Sequence, residues 1–279
     1  MNIGAHVSVA GGLWKVFENA SSIGANCAQI FGSSPRQWKS SVPSREAVEA
    51  YKTARQEYVV NPVYLHAAYL VNLGSSDPAI YEKSIMSLID HLRIADMIEA
   101  KGLIFHLGSF QGGNKEGVLQ KTLKGIMSVL EEVQGDTMLI MENAASKKKI
   151  GAMPEELGWL LRGANSDRVG VCIDTAHAFE AGTIASFSPD MVREWVALWD
   201  REVGWEHIPV LHINDSKTAY NSQHDRHENI GEGYIGKEGF SNLAKVKALQ
   251  KKDWILEVPG FTGKGPDKQN MDCIKNCIA

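Results

Sequence analysis

Nine side chains in this sequence have the types and spacing to gather metal ions: His66, His106, Glu142, Asp174, His177, His212, Asp225, His227 and Glu257. Six of them (His66, His106, Glu142, Asp174, His212 and Glu257) stand immediately after a short apolar run. His177 follows Asp174 by three residues, about one helical turn, and can fold back over the same edge. Asp225 and His227 form an i, i+2 pair, which in extended backbone projects to one side and can grip one ion together. A single zinc takes about three or four protein ligands, so this set exceeds one site and suggests two or three ions sharing a bridging carboxylate. Imidazole and carboxylate without thiolate suit zinc, manganese or iron, and argue against an iron–sulfur or copper–thiolate centre. Taken singly, each residue is weak evidence. A lone histidine at a strand end is usually a hydrogen-bonded core residue, and an acid there often caps the next helix. Their joint placement on one edge carries the reading. His6 also ends an apolar run; ligand, supporting and packed roles are all open to it, the last two being favoured. His91, His207 and His224 receive no role.

The elements that must position these residues are eight apolar runs: Asn2–Ala5, Cys27–Phe31, Val63–Leu65, Leu103–Phe105, Met138–Met141, Val169–Ile173, Val210–Leu211 and Trp254–Leu256. Amphipathic stretches of helical length separate them, as in alternating β/α units with parallel strands. Glu82–Glu99 carries Ile85, Leu88, Ile89, Leu92 and Ile94 at helical spacing, and Val118–Val133 repeats the pattern. Ser188-Pro189-Asp190 reads as a capped helix start with proline in the first turn. Parallel strands bring all their C-terminal ends to one side, where the active sites of (β/α)8 barrels are found. A barrel of this kind takes roughly 250 residues. The 279 residues therefore predict an α/β, (β/α)8 TIM barrel, a single domain over residues 1–279. Two connectors exceed a plain turn. Gly32–Pro43 is polar, with Trp38 and the cations Arg36 and Lys39, and Ser216–Gly236 is rich in His, Asp, Asn and Gly. Loops of that length in a compact domain are usually functional or disordered.

A chain this long buries enough surface to fold without a stapling metal, so metal-ligand residues point to catalysis. Cys27 and Cys172 lie in predicted strands, while Cys273 and Cys277 are four apart on the expected last helix, with no zinc-knuckle spacing. Sparse cysteines, no signal-like N-terminus and no apolar run near the ~20 residues of a membrane span make a cytoplasmic protein the expectation. Formal net charge is −4, from 29 basic and 33 acidic residues. That balance argues against indiscriminate coating of nucleic acid but leaves room for a local cationic footprint.

Several segments resemble the endonuclease IV family. They are Gly4-Ala5-His6-Val7-Ser8 with Gly11-Gly12, Pro35-Arg36-Gln37-Trp38, Tyr69 to Gly74, Phe105 to Ser109, Met141-Glu142-Asn143, Ile173 to Phe179, Leu211 to Lys217, and Asp225-Arg226-His227 to Gly236. The likeness runs from Asn2 to about Pro259, in the family's order; the Asp-Thr-x-His and Asp-Arg-His…Gly-Glu-Gly elements are its most specific parts. It implies an apurinic/apyrimidinic endonuclease on a TIM barrel with a trinuclear zinc centre, manganese being possible at one or more sites. His66, His106 and Glu142 would bind the first ion. Glu142 would bridge to a second held by Asp174, His212 and Glu257, and His177, Asp225 and His227 would hold the third. Arg36, Tyr69 and Leu70 match positions that enter DNA at the lesion, a task suited to a guanidinium and two wedges. Rim packing is the plainer reading of Tyr69 and Leu70.

Two departures stand out: Ala67-Ala68, where polar residues or proline are common, and Val258, where threonine is frequent. The expected reaction is in-line hydrolysis of the phosphodiester 5′ to an abasic site in duplex DNA by a metal-activated hydroxide, with Glu142 and Glu257 as the catalytic carboxylates. It would leave a 3′-hydroxyl and a 5′-deoxyribose phosphate. Neither a membrane nor a protein partner is implied, and a monomer is the simpler expectation. A metal-dependent sugar isomerase is the rival reading, and a lesion-binding protein without turnover is a second.

Overall fold

Alternate residues of a β-strand face opposite sides of its sheet, and in this chain that period of two sorts aliphatic residues from ligand candidates. The computed structural model describes every residue except Lys39, Gln111, Gly112, Gly113 and Ala279, so the expected loop cation Lys39 lies outside the described residues. Strands β1 (Asn2–His6), β2 (Cys27–Phe31), β3 (Val63–His66), β4 (Gly102–His106), β5 (Met138–Glu142), β6 (Val169–Asp174) and β7 (Val210–His212) are joined by two short strands. These are β8 (Asp215–Ser216) and β9 (His227–Glu228), and β10 (Asp253–Leu256) follows. All but β8 and β9 form one closed barrel in the order β1-β10-β7-β6-β5-β4-β3-β2. Every pairing round it is parallel. The chain is a TIM barrel, as its strand pattern predicts.

Inside the barrel, Cys27, Tyr64, Ile104, Ile140, Cys172, Val210 and Ile255 pack into one buried layer. Two residues further along the same strands come Gln29, His66, His106, Glu142, Asp174, His212 and Glu257. Each polar residue therefore sits directly above an apolar one, on the same inward face, towards the C-terminal opening. The layer is floored at the other end by Asp253, which accepts hydrogen bonds from Tyr64 (2.6 Å), Lys101 (2.7 Å) and Asn2 (2.7 Å). On β1 the corresponding positions are Gly4 and His6. A β-carbon at Gly4 would lie 2.1 Å from the Cys27 carbonyl oxygen, so only glycine lets β1 approach β2 this closely. The outward residues, among them Leu65, Leu103, Leu139, Val171 and Leu256, join the larger core beneath the helices.

The helix expected over 82–99 runs from Pro78 to Met97, starting earlier because the Asp77 carboxylate caps it by accepting from Ala79 N (2.8 Å). That expected over 118–133 spans Lys115–Glu132, capped by Asn114. Pro189 opens the Pro189–Glu202 helix, but the Ser188 hydroxyl makes no capping hydrogen bond. It accepts instead from Ser186 Oγ (3.3 Å), which corrects the capped start expected there. Cys27 and Cys172 are buried in strands, Cys273 and Cys277 are half-buried on the Lys268–Ile278 helix, and all four are free thiols. No helix among the described residues is long and apolar enough to cross a membrane.

The Gly32–Pro43 connector carries no helix or strand among its described residues. The Ser216–Gly236 connector is more ordered than its composition suggests. Its start and middle pair as the antiparallel β8–β9 ribbon. The buried Asp215 carboxylate accepts from the backbone N–H groups of Gly231 (2.9 Å), Gly233 (3.1 Å) and Ile235 (2.9 Å). At Gly233 a β-carbon would lie 2.4 Å from the Ser216 carbonyl, so this tuck requires glycine.

Candidate metal centre

The barrel's polar layer and the loops above it bring the candidates into three groups of close donor atoms. They are His66, His106 and Glu142; Glu142, Asp174, His212 and Glu257; and Asp174, His177 and His227, each group's donors lying within 4.8 Å of one another. Glu142 belongs to two groups and so does Asp174, which makes each carboxylate a candidate bridge. Asp225 stands beside the third group, its Oδ1 3.3 Å from His177 Nε2 and 3.8 Å from His227 Nε2. Residues spread over almost two hundred positions of sequence thus meet in one pocket.

Neighbours fix which atom of each side chain faces the centre. His66 Nδ1 lies 2.8 Å from the Ala67 carbonyl, which turns Nε2 towards Glu142 Oε2 at 3.1 Å. Residue 67 acts through its backbone, so alanine there leaves this contact intact. His177 Nδ1 meets the Asn143 carbonyl at 2.9 Å. Gln29 donates to Glu257 Oε1 (2.5 Å), and its Oε1, which can only accept, is 2.7 Å from His212 Nε2. His212 Nδ1 is therefore left facing Glu142 Oε1 and Glu257 Oε2, each at 3.1 Å. Asp174 serves two purposes: Oδ1 caps the short Thr175–Glu180 helix by accepting from His177 N (2.9 Å), while Oδ2 accepts from Asn214 Nδ2 (2.6 Å). The capping reading and the ligand reading of that acid are thus compatible.

Buried histidine nitrogens normally find partners. Here His106 Nδ1, His177 Nε2 and His227 Nε2 are buried without a hydrogen bond. His177 Nε2 and His227 Nε2 lie 3.3 Å from Asp225 Oδ1 and 3.5 Å from Asp174 Oδ2, two unpaired donors beside carboxylates. His106 turns its other nitrogen, Nε2, to Glu142 Oε2 at 3.5 Å. This nitrogen–oxygen donor set fits zinc or manganese. The electrostatics agree. Burial works to raise the Glu142 pKa, but His106, His212 and His177 hold it well below the usual carboxylate range. Burial likewise opposes the charged form of Glu257, and His212 and His6 outweigh it, holding that carboxyl well below its ordinary value. Burial would lower His177, yet Asp174 and Asp225 drive it well above the ordinary imidazole value. His106 goes the other way, lowered by burial to about 4. Ligation needs neutral imidazole, so metal uptake would displace protons held by this pocket.

The centre lies in a cleft of about 1470 Å³ that also reaches Tyr69 and Leu70. Tyr69 is 58% exposed, so part of its surface remains open while its ring packs on the rim. Its ring stands edge-on to Phe31 (5.4 Å), and its backbone N–H donates to the Pro35 carbonyl (3.0 Å), tying it to the loop of Arg36. Arg36 is exposed and Leu70 half-buried. His6 stands outside the three groups, its ring tilted at 52° against Phe31 (4.3 Å) and its Nδ1 2.8 Å from Gln29 Nε2. His91 is a buried packing residue, its Nε2 2.9 Å from Ser33 Oγ.

Gln29 was not among the candidates, because it lies inside its strand. Counting two residues on from each inner apolar position would have found it. Glu180 was also missed. It is fully buried, and its Oε1 accepts from Ser216 Oγ (2.7 Å), Thr218 Oγ1 (3.2 Å) and Arg226 N (3.3 Å), so it braces the loop that carries Asp225 and His227.

Known proteins show the same architecture. The sequence profile of the xylose isomerase-like TIM barrels matches residues 17–277. A probable endonuclease 4 of Halothermothrix orenii is 34% identical over 277 residues, covering 99% of each chain. One from Petrotoga mobilis is 36% identical over 265 residues, covering 93% of this chain and 92% of its own. The crystal structure of endonuclease IV from Thermus thermophilus superposes with a TM-score of 0.87 at 32% identity, over 100% of this chain and 99% of that one. A D-tagatose 3-epimerase-like protein shares the fold alone, with a TM-score of 0.74 at 17% identity over 100% of this chain and 97% of its own. With relatives of that identity along its whole length, this chain belongs to the endonuclease IV family of the xylose isomerase-like TIM barrels.

Proposed function

We propose that this protein hydrolyses the phosphodiester bond on the 5′ side of an abasic site in duplex DNA. The observation that carries this reading is the chain of three donor groups joined through Glu142 and Asp174, at the bottom of a cleft whose lip presents an exposed tyrosine. His66, His106 and Glu142 would hold one dication, Glu142, Asp174, His212 and Glu257 a second, and His177, Asp225 and His227 a third. Bound zinc or manganese would supply Lewis-acid neutralisation of the phosphoryl oxygens and make hydroxide available near neutral pH.

The chain's own residues do the rest. Gln29 holds Glu257 by its amide, and the carboxylate so fixed would help orient an attacking water for in-line displacement. The 3′-oxygen of the preceding nucleotide leaves, giving a 3′-hydroxyl and a 5′-deoxyribose phosphate. Tyr69 and Leu70 would enter the stack where a base is missing, and the Arg36 guanidinium would pair with phosphate. A missing base lowers the cost of extruding the nucleotide, which itself favours abasic sites. A sugar isomerase would have no use for the third group or for the exposed tyrosine.

A labelled duplex with one tetrahydrofuran abasic analogue, incubated with and without chelator, tests this. Nicking directly 5′ to the analogue that chelator abolishes is expected. Binding without nicking would indicate a passive lesion reader, and neither binding nor nicking would reopen the sugar-enzyme reading.

A further inference from the structure

We propose that Lys147 and Lys148, on the loop after β5, form a phosphate-binding edge that holds the DNA backbone outside the cleft. This rests on the reading of duplex DNA as substrate. Duplex DNA carries one charge per about 1.7 Å of its axis, so it continues as a polyanion well past any cleft that receives a single nucleotide.

The loop reads Ser146-Lys147-Lys148-Lys149, a run of cations in a chain whose net charge is −4. It is built and pinned at each step. Lys147 N donates to Gln223 Oε1 (2.6 Å), Phe110 N donates to the Lys148 carbonyl (3.0 Å), and Lys149 N donates to the Ser146 carbonyl (2.8 Å). Lys149 also bridges to Ser109. The loop thus joins the rim segments after β4 and β7, and little ordering entropy would be lost on binding.

The three ammonium groups have different surroundings. Lys149 lines the cleft with its Nζ 3.5 Å from Asp225 Oδ2, so its charge is engaged beside the metal centre. Lys147 is exposed, and among the described residues its ammonium meets only a neutral partner, Asn221 Oδ1, at 3.4 Å. Lys148 is exposed, and its ammonium has no partner among the described residues. Neighbouring like charges repel, and a polyanion relieves that repulsion. In the barrel's ring order β3 and β4 lie between this loop and the loop of Arg36. DNA wedged by Tyr69 would thereby be held at two separated edges.

Steady-state nicking of the tetrahydrofuran duplex by the metal-loaded enzyme, measured from 50 to 200 mM KCl, tests the proposal. The double variant Lys147→Ala/Lys148→Ala should keep wild-type turnover at saturating DNA. Its KM should rise about tenfold at the low-salt end, and the slope of log KM against log salt should flatten by about 1 per lysine. Lys148→Ala, which breaks no side-chain hydrogen bond or ion pair among the described residues, should give about half of that change in slope. Lys147→Arg/Lys148→Arg should restore both quantities. A double variant that matches a nicking wild type at every salt concentration overturns this proposal alone. A wild-type enzyme that does not nick the duplex overturns the functional reading, and this one with it.

Discussion

His66, Glu142 and Asp174 are at most 2% exposed and owe their positions to the pleat of barrel strands. Asp225 and His227, with side chains 39% and 16% exposed, hang from a two-stranded ribbon and a loop. The first set is positioned by the whole fold, since moving one strand means reopening the barrel. The second is positioned by a few local contacts: Asp215 on the glycine-rich turn, and Glu180 on Ser216, Thr218 and Arg226. One barrel therefore carries a rigid half-site and an adjustable one, and the two should fail differently.

Glu142→Ala strikes the rigid half and should have the largest effect. Two donor groups share this carboxylate, so elemental analysis should show about two equivalents of metal lost and nicking should fall by on the order of a thousandfold or more. Near-normal turnover with full metal content would show that the strand-borne half is not where reaction occurs. His227→Ala strikes the adjustable half. About one equivalent should be lost and activity reduced about a hundredfold, with the strand-borne ions retained. Equal loss of all ions would mean that the halves are not separable. Gln29→Ala leaves every ligand in place but frees Glu257 and His212. An effect of about 10–100-fold on metal affinity or activity is expected, read by chelator competition; wild-type affinity would make the amide a bystander.

The smallest effect is one of pH. Burial pushes the Glu180 carboxyl up to about 7 from 4.5. Its folded-state value is raised, so its contribution to stability is fully present below about pH 4.5 and is lost as pH rises through about 7. Glu180→Gln should remove that loss. The metal-free variant should melt a few degrees above wild type at pH 8 and close to it at pH 5. A lower melting temperature at pH 8 would show that the loop needs the charged carboxylate.

The strand-end donor residues were legible in the sequence because an apolar run followed by His, Asp or Glu is a rare conjunction, and each run proved to be a barrel strand. Gln29 was not legible: a glutamine inside an apolar strand looks like an interruption until the inward face is known. Ala67 contributes only a carbonyl, which has no signature in residue type. Glu180 sits in a short helix, and its role depends on a loop some forty residues later. Two helices start earlier than their apolar pattern suggests, because capping by Asp77 and Asn114 extends them beyond it. Asp225 fell into the expected neighbourhood, while Asp174 took a place in the third group that its strand position alone did not suggest.

The two stacked layers inside the barrel, apolar below and ionisable above, share the one inward face that the strands' alternation creates. A slip of one residue in any strand would exchange inward and outward faces, turning imidazoles against the outer helices and leucines into the cleft. Misassembly would then abolish the reactive surface outright rather than degrade it by degrees. For this chain, the pressure to pack correctly and the pressure to remain reactive act on the same strand register.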